Sequence, residues 1–217
     1  MSTRSTPFVR RERESLGDLM LEVGPDVPTL CTGWTTRDLL DHLLVRERAP
    51  WAAAGIVVPP LAPLTALATR RVHRVAWPDA VARFRTPPAP LRPVAALDAL
   101  VNTVELVVHH EDVRRGAGLA GDRTTAPRPL HADDRDEVWR ALLRMRRVLA
   151  RPARTGLVAL RTDTGERHVL RPGPEPVTIT GDPVELLLFC CGRSASQVEV
   201  TGSPAALASL DRSAFGF

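Results

Sequence analysis

Apolar positions recur at helical spacing from residue 7 to about residue 150 and then switch to alternation. Thr6 and Pro7 open a first helix, Leu16, Leu19, Met20 and Val23 form its apolar side, and Gly24-Pro25 stops it. A second helix starts at Thr35, where Asp38 completes a capping-box pattern. Leu39, Leu40, Leu43 and Leu44 make its stripe, and Pro50 ends it. The Pro- and Ala-rich stretch 56–93 is expected to hold two short helices, at 64–74 and near 79–85. A long helix over about 94–115 should stop at Gly116-Ala117-Gly118. The last main helix, 133–150, turns Val138, Ala141, Leu142, Met145 and Leu149 inward. Arg140, Arg144 and Arg147 fall on its outer face, which reads as a solvated surface rather than a phosphate-tracking stripe.

After Arg151-Pro152 the period shortens to two. "GLVALRTDTGERHVL" predicts a hairpin turning at Asp163-Thr164-Gly165. "PVTITGDPVELLLFCCGR" predicts a strand, a turn and a short helix, and "QVEVTGSPAALASL" repeats that order. The pattern implies a mainly α chain: a helical bundle over 1–152 followed by a small α+β domain over 153–217.

Composition narrows the function classes. The sequence contains 29 Arg and no Lys, yet the net charge is only +4, with acids interleaved along the whole length and no basic tail. That argues against nucleic-acid binding. Three cysteines without a CxxC spacing, and no secretory signal, imply a reducing cytoplasm and no disulfide framework. No apolar run approaches the ~18 residues of a membrane span. Phosphate loops, nucleophile elbows and dinucleotide fingerprints are absent from the sequence.

The stretch "VELVVHHEDV", 104–113, is different: it sets Glu105, His109 and His110 among aliphatic residues. On a helix, four residues advance about 400°, so Glu105 and His109 share a face about 6 Å apart along the axis. His110 lies about 140° from Glu105 and should point to the surface or a neighbouring helix. A carboxylate flanked by Val101 and Val108 is costly to bury unless a cation compensates it. Glu105 and His109 could be two ligands of a metal, with the third drawn from His42, His73, His131 or His168. His42, at the edge of the second helix's buried stripe, is the best placed. Two imidazoles and one carboxylate leave a divalent ion with open positions, as in catalytic zinc sites. Asp112 could orient His109 through its other ring nitrogen, or serve as a cap or surface residue. Cys190 and Cys191 read as small core hydrophobes, Cys31 as a buried loop thiol that could lie near the site, and Trp34 as a packing residue that could also wall a pocket.

"LEVGPDVPTLCTGWTTRDLLDHLLVRERAP" and "VELVVHHEDV" together resemble the actinobacterial DinB-like proteins grouped with mycothiol-dependent maleylpyruvate isomerase. The matching positions are Trp34, Thr35 and His42 in the first motif, and Glu105, His109 and Asp112 in the second. The resemblance implies a DinB-like four-helix bundle in which His42, Glu105 and His109 bind a divalent metal, usually zinc. "GDPVELLLFCCGR" is similar to the family's small sterol-carrier-like domain, which implies an active-site role for Arg193. The implied function is a metal-dependent, mycothiol-dependent isomerase or thiol transferase, acting on a small carboxylate-bearing electrophile. The metal would activate the thiol as thiolate, and Arg193 would take the substrate carboxylate. Residues 51–93 depart from the family's pattern, so maleylpyruvate itself is not implied as substrate. The competing reading is a non-catalytic metal-binding sensor or regulatory module. Expected partners are a small substrate and a low-molecular-weight thiol, with no nucleic acid and no membrane, in a cytoplasmic monomer or homodimer.

Overall fold

The structure, a computed structural model, describes residues 6–53, 55, 58–88, 95–119 and 126–215. Two compact units are present. One comprises the chain up to Ala99 plus the stretch beginning at His109; the other takes Leu100–Val108 and everything from Ala126 onward. Both share one continuous helix, α6 (Ala95–Leu119).

The first unit begins with α1 (Pro7–Val23), opened by the Thr6 side chain, which accepts from the Val9 amide at 3.3 Å. The loop after it leads to α2 (Thr36–Arg48), whose capping box between Thr35 and Asp38 is complete. Leu39, Leu40, Leu43 and Leu44 are essentially water-free, each contributing on the order of 1.5–3 kcal/mol by burial. A short α3 (Pro50–Ala53) and a 3-10 turn (Pro59–Leu61) precede α4 (Ala62–His73) and α5 (Trp77–Arg85). Each of the last two starts two residues earlier than its pattern suggested, because Pro63 and Pro78 occupy the first turn, where a missing amide costs nothing. Residues 56, 57 and 89–94 of the Pro- and Ala-rich stretch, which include the expected start of the long helix, lie outside the described residues.

Charged side chains lock these helices together. Arg13 of α1 makes a bidentate pair with Glu47 of α2, at 3.0 and 2.6 Å. It also donates to the Phe84 carbonyl of α5 at 3.0 Å, and its guanidinium sits 4.8 Å from that residue's ring centre. The polar run of α1 is therefore partly interior, and Glu12 and Arg13 are buried. Arg37 donates to the carbonyls of Val72, in the last turn of α4, and Val75, just beyond it, at 2.8 and 2.9 Å.

Helix α6 overturns its expected end. It runs through Gly116 to Leu119. A Cβ at Gly116 would lie 2.4 Å from the Pro28 carbonyl oxygen and 2.5 Å from the Thr29 Cα, so this glycine admits a loop against the helix rather than terminating it. Between Asn102 and Ala117 every residue is buried except Glu105 and Arg114, which are half-buried. A helix covered on all faces has no outer side to send polar residues to. His110 is accordingly buried and paired with Glu12 of α1, Nδ1 to Oε1 3.0 Å. Glu111 takes hydrogen bonds from Arg114 and Arg115, the latter at 2.6 Å with both partners fully enclosed.

The second unit packs α7 (Ala132–Leu149) and α8 (Pro183–Cys190) beside a four-stranded mixed sheet. Strand β1 (Leu157–Arg161) lies at its centre. It is antiparallel to β2 (Arg167–Arg171) across the Asp163–Gly165 turn and parallel to β3 (Val177–Gly181), with β4 (Glu199–Thr201) antiparallel at the far edge. The short helix α9 (Pro204–Ser209) follows β4. Alternating burial along β3 shows one covered face. Arg140, Arg144 and Arg147 are exposed as expected, whereas Met145 is only half-buried. No helix among the described residues is long and apolar enough to cross a membrane.

Arg161, 2% exposed, holds the hairpin to α7. It is bidentate to Asp163 at 2.7 and 2.7 Å, reaches Asp136 at 2.8 Å, and lies over the Trp139 ring. The Asp163 carboxyl is held below the usual aspartate range chiefly by its hydrogen bonds from Arg161. A carboxyl whose folded-state value is depressed adds stability above its unfolded value of about 4, and that stability is lost as pH falls through the lowered one. Asp163→Asn is therefore expected to cost on the order of 1 kcal/mol at neutral pH, solvent screening limiting the effect at an exposed residue. The difference from wild type should vanish in acid, as read from urea melts at several pH values. A constant difference down to pH ~2 would contradict the linkage.

Candidate metal centre

The site is assembled from two helices and one loop. α2 projects His42 from the edge of its leucine stripe, half-buried. α6 presents Glu105 and, one turn later, His109. Ligand atoms of His42, Glu105 and His109 all lie within 4.8 Å of one another. The two imidazoles meet edge to face, with ring centres 5.4 Å apart, and the half-exposed Trp34 ring tilts over His42 at 5.3 Å.

Behind His109 stands Asp112, fully enclosed, its Oδ2 2.9 Å from His109 Nδ1. A carboxylate oxygen only accepts, so Nδ1 carries the hydrogen and Nε2 becomes the ring's lone-pair nitrogen. That fixes the tautomer and the ring orientation a metal ligand needs. The capping and surface alternatives for Asp112 do not hold.

The same Asp112 oxygen accepts from the Cys31 thiol at 3.2 Å. Cys31 is placed by a tightly closed loop. Thr29 N donates to Trp34 O, Trp34 N to Cys31 O, and Pro28 and Thr35 form an isolated bridge. Leu30 N donates to the backbone carbonyl of Asp112 at 3.0 Å, which pins the loop onto α6. Cys31 thus sits half-buried beside the histidines. The sequence allowed a loop thiol near the site, but its pairing with Asp112 was not legible there, because nothing local ties residue 31 to residue 112.

The other histidines serve elsewhere. His73 lies 2.6 Å from Asp41, which also pairs with Arg37 at 3.0 Å. His131 is the exposed residue before α7, and His168 lies on β2. Cys190 and Cys191 are interior to the second unit, and burial pushes the Cys190 thiol far above its ordinary range, as expected of core residues. Arg193 follows α8 in that unit. The helix closes with Arg193 N donating to Leu188 O and Gly192 N to Phe189 O, a Schellman ending in which Gly192 adopts φ 77°. The Gly-Arg pair therefore has a structural reason of its own. The Arg193 guanidinium donates to the Cys191 carbonyl at 2.8 Å.

No family model matches the sequence, and no curated protein is significantly similar to it. Among solved structures, the chain is similar to the crystal structure of the mycothiol-dependent maleylpyruvate isomerase and to that of a histidine-to-alanine mutant of the same isomerase. Each comparison gives a TM-score of 0.59 at 16% identity, covering 89% of this chain and 90% of that one. At this identity the likeness is one of fold. The chain therefore shares a distant structural relationship with that isomerase: a mostly helical protein carrying a small mixed four-stranded sheet.

Proposed function

We propose that the protein is a metal-dependent, thiol-using enzyme, an isomerase or transferase acting on a small carboxylate-bearing electrophile with mycothiol as the thiol. Its ligand-bearing part is residues 1–152 and its α+β part residues 153–217, in a cytoplasmic protein. The observation that carries the reading is the convergence of His42, Glu105 and His109 within 4.8 Å, in a fold shared with a mycothiol-dependent isomerase. The donors suit a divalent ion, zinc foremost: two neutral imidazoles and one carboxylate form the three-ligand set that leaves positions open for chemistry.

When bound there, such an ion stabilises a thiol as its thiolate at neutral pH. The chain's own residues do the rest. His42, Glu105 and His109 hold the ion, Asp112 keeps the His109 Nδ1–H in place, and Trp34 shields the His42 ring from water on one side. Arg193 is proposed to bind the substrate carboxylate through a forked pair of hydrogen bonds, which lysine cannot reproduce. Arg193→Lys is expected to raise KM about tenfold or more with the bound ion unchanged, a split that steady-state kinetics and metal analysis read together. An unaltered KM would remove Arg193 from the proposal.

The deciding experiment is elemental analysis of the purified protein, followed by calorimetric titration with mycothiol and assay of thiol-dependent turnover. Near-stoichiometric metal with saturable mycothiol binding and turnover supports the enzyme. Metal without either supports a sensor, and absence of metal removes the proposal.

A further inference from the structure

The His42–Glu105–His109 set gives Asp112 a role behind His109 but leaves Cys31 without one. Asp112 is fully enclosed, and one of its oxygens already gathers two donors, the His109 Nδ1 at 2.9 Å and the Cys31 thiol at 3.2 Å. Ligand atoms of Cys31, His109 and Asp112 all lie within 4.8 Å of one another. A tetrahedral zinc site with ligands at its ordinary bond lengths has edges of about 3.3 Å between nitrogen and oxygen, and about 3.5 Å between sulfur and oxygen. The two measured separations fall a few tenths of an ångström short of those edges, so little movement is needed to admit an ion.

We infer that Cys31, His109 and Asp112 form a second seat for a thiophilic divalent cation of the zinc class. The seat uses Nδ1 of His109, the nitrogen that faces Asp112, whereas the first set uses Nε2. Binding replaces the two hydrogens now pointing at Asp112: the thiol proton leaves to solvent, and the ring proton moves to Nε2, or leaves as well when Nε2 already holds an ion and the ring bridges as imidazolate. The thiolate so formed selects against hard ions such as magnesium and calcium. The backbone is prepared for it: Cys31 N donates to Thr29 Oγ1 at 3.2 Å, and Leu30 N holds the loop to the Asp112 carbonyl. All three donors belong to the first compact unit. Because Cys31 is half-buried while Asp112 is enclosed, an ion enters from the cysteine side.

The seat stands independently of the proposed enzyme function, and the test separates the two. Metal-stripped full-length protein is titrated with cobalt(II), whose thiolate complexes show a charge-transfer band in the near ultraviolet. The expected result is that band in wild type and in His42→Ala, and its loss in Cys31→Ser, which retains a donor toward Asp112 and so should keep its fold. As a second readout on wild type alone, cobalt should slow alkylation of Cys31 on the order of tenfold or more, since a sulfur lone pair donated to the ion is withdrawn from attack on the reagent. A band absent from wild type, persisting in Cys31→Ser, or lost in His42→Ala would overturn the seat, as would alkylation unaffected by cobalt. Metal retained in Cys31→Ser but lost in His42→Ala would leave the first set standing alone.

Discussion

Alanine at position 42 or position 105 is expected to abolish divalent-ion binding by the His42–Glu105–His109 set in the purified protein. Each substitution removes one of three donors whose ligand atoms lie within 4.8 Å. Changing a residue that merely orients a ligand costs metal affinity about 10- to 100-fold, so losing a ligand outright should exceed about 100-fold, or roughly 3 kcal/mol. Asp112→Asn should fall between wild type and these variants, because it disturbs the His109 Nδ1 hydrogen bond but leaves all three donors in place. Stability supplies a readout separate from activity. An ion present at about 1,000 times its dissociation constant stabilises the fold by ~4 kcal/mol, so chelation should lower the melting temperature of wild type. It should lower those of His42→Ala and Glu105→Ala by markedly less. Wild type insensitive to chelation, or variants with the full metal content of wild type, would mean that these side chains serve packing alone.

The second large effect is expected at Gly116, where two rules disagree in sign. Alanine in a helix interior is favoured over glycine by about 1 kcal/mol, which predicts a more stable protein. Here, however, the added Cβ would meet the Pro28 oxygen at 2.4 Å and the Thr29 Cα at 2.5 Å. These are backbone atoms of a loop pinned at Leu30 to the same helix, so they cannot swing aside as a side chain would. Overpacking of this kind costs typically about 1–3 kcal/mol, enough to outweigh the propensity gain. Gly116→Ala should therefore be less stable in urea melts, and Cys31 should become more reactive as its loop lifts from Asp112. Gly17→Ala in α1 is the contrast, since its new Cβ meets only the flexible Arg85 side chain, and a change of well under 1 kcal/mol is expected. A more stable Gly116→Ala protein would show that the loop yields.

Local chemistry was legible in the residues themselves. Thr6, Pro7 and Gly24 bound α1, the Thr35–Asp38 capping box opens α2, and the Asp163–Gly165 turn joins β1 to β2. Each is decided within a few residues by hydrogen bonds the chain makes to itself. The neighbourhood of Glu105 and His109 is likewise set by helical spacing. The expected helix end at Gly116 failed because glycine's meaning depends on what approaches it, and the approaching loop is some 87 residues earlier in the chain. His110, expected at the surface or against a neighbouring helix, meets α1, because this helix has no wet side between Asn102 and Ala117.

What the amino-acid order determined alone, then, is the main helices and strands, the caps that open α1 and α2, and the one-turn pairing on α6. Only tertiary packing decided that His42 stands against His109, that His110 is paired with Glu12, and that the Cys31 thiol reaches Asp112. Caps and helical spacings depend on contacts of three or four residues, which a sequence displays directly. A buried polar group instead takes its partner from whichever element covers it, and the cost of leaving such a group unsatisfied enforces the match only once the chain has closed around it.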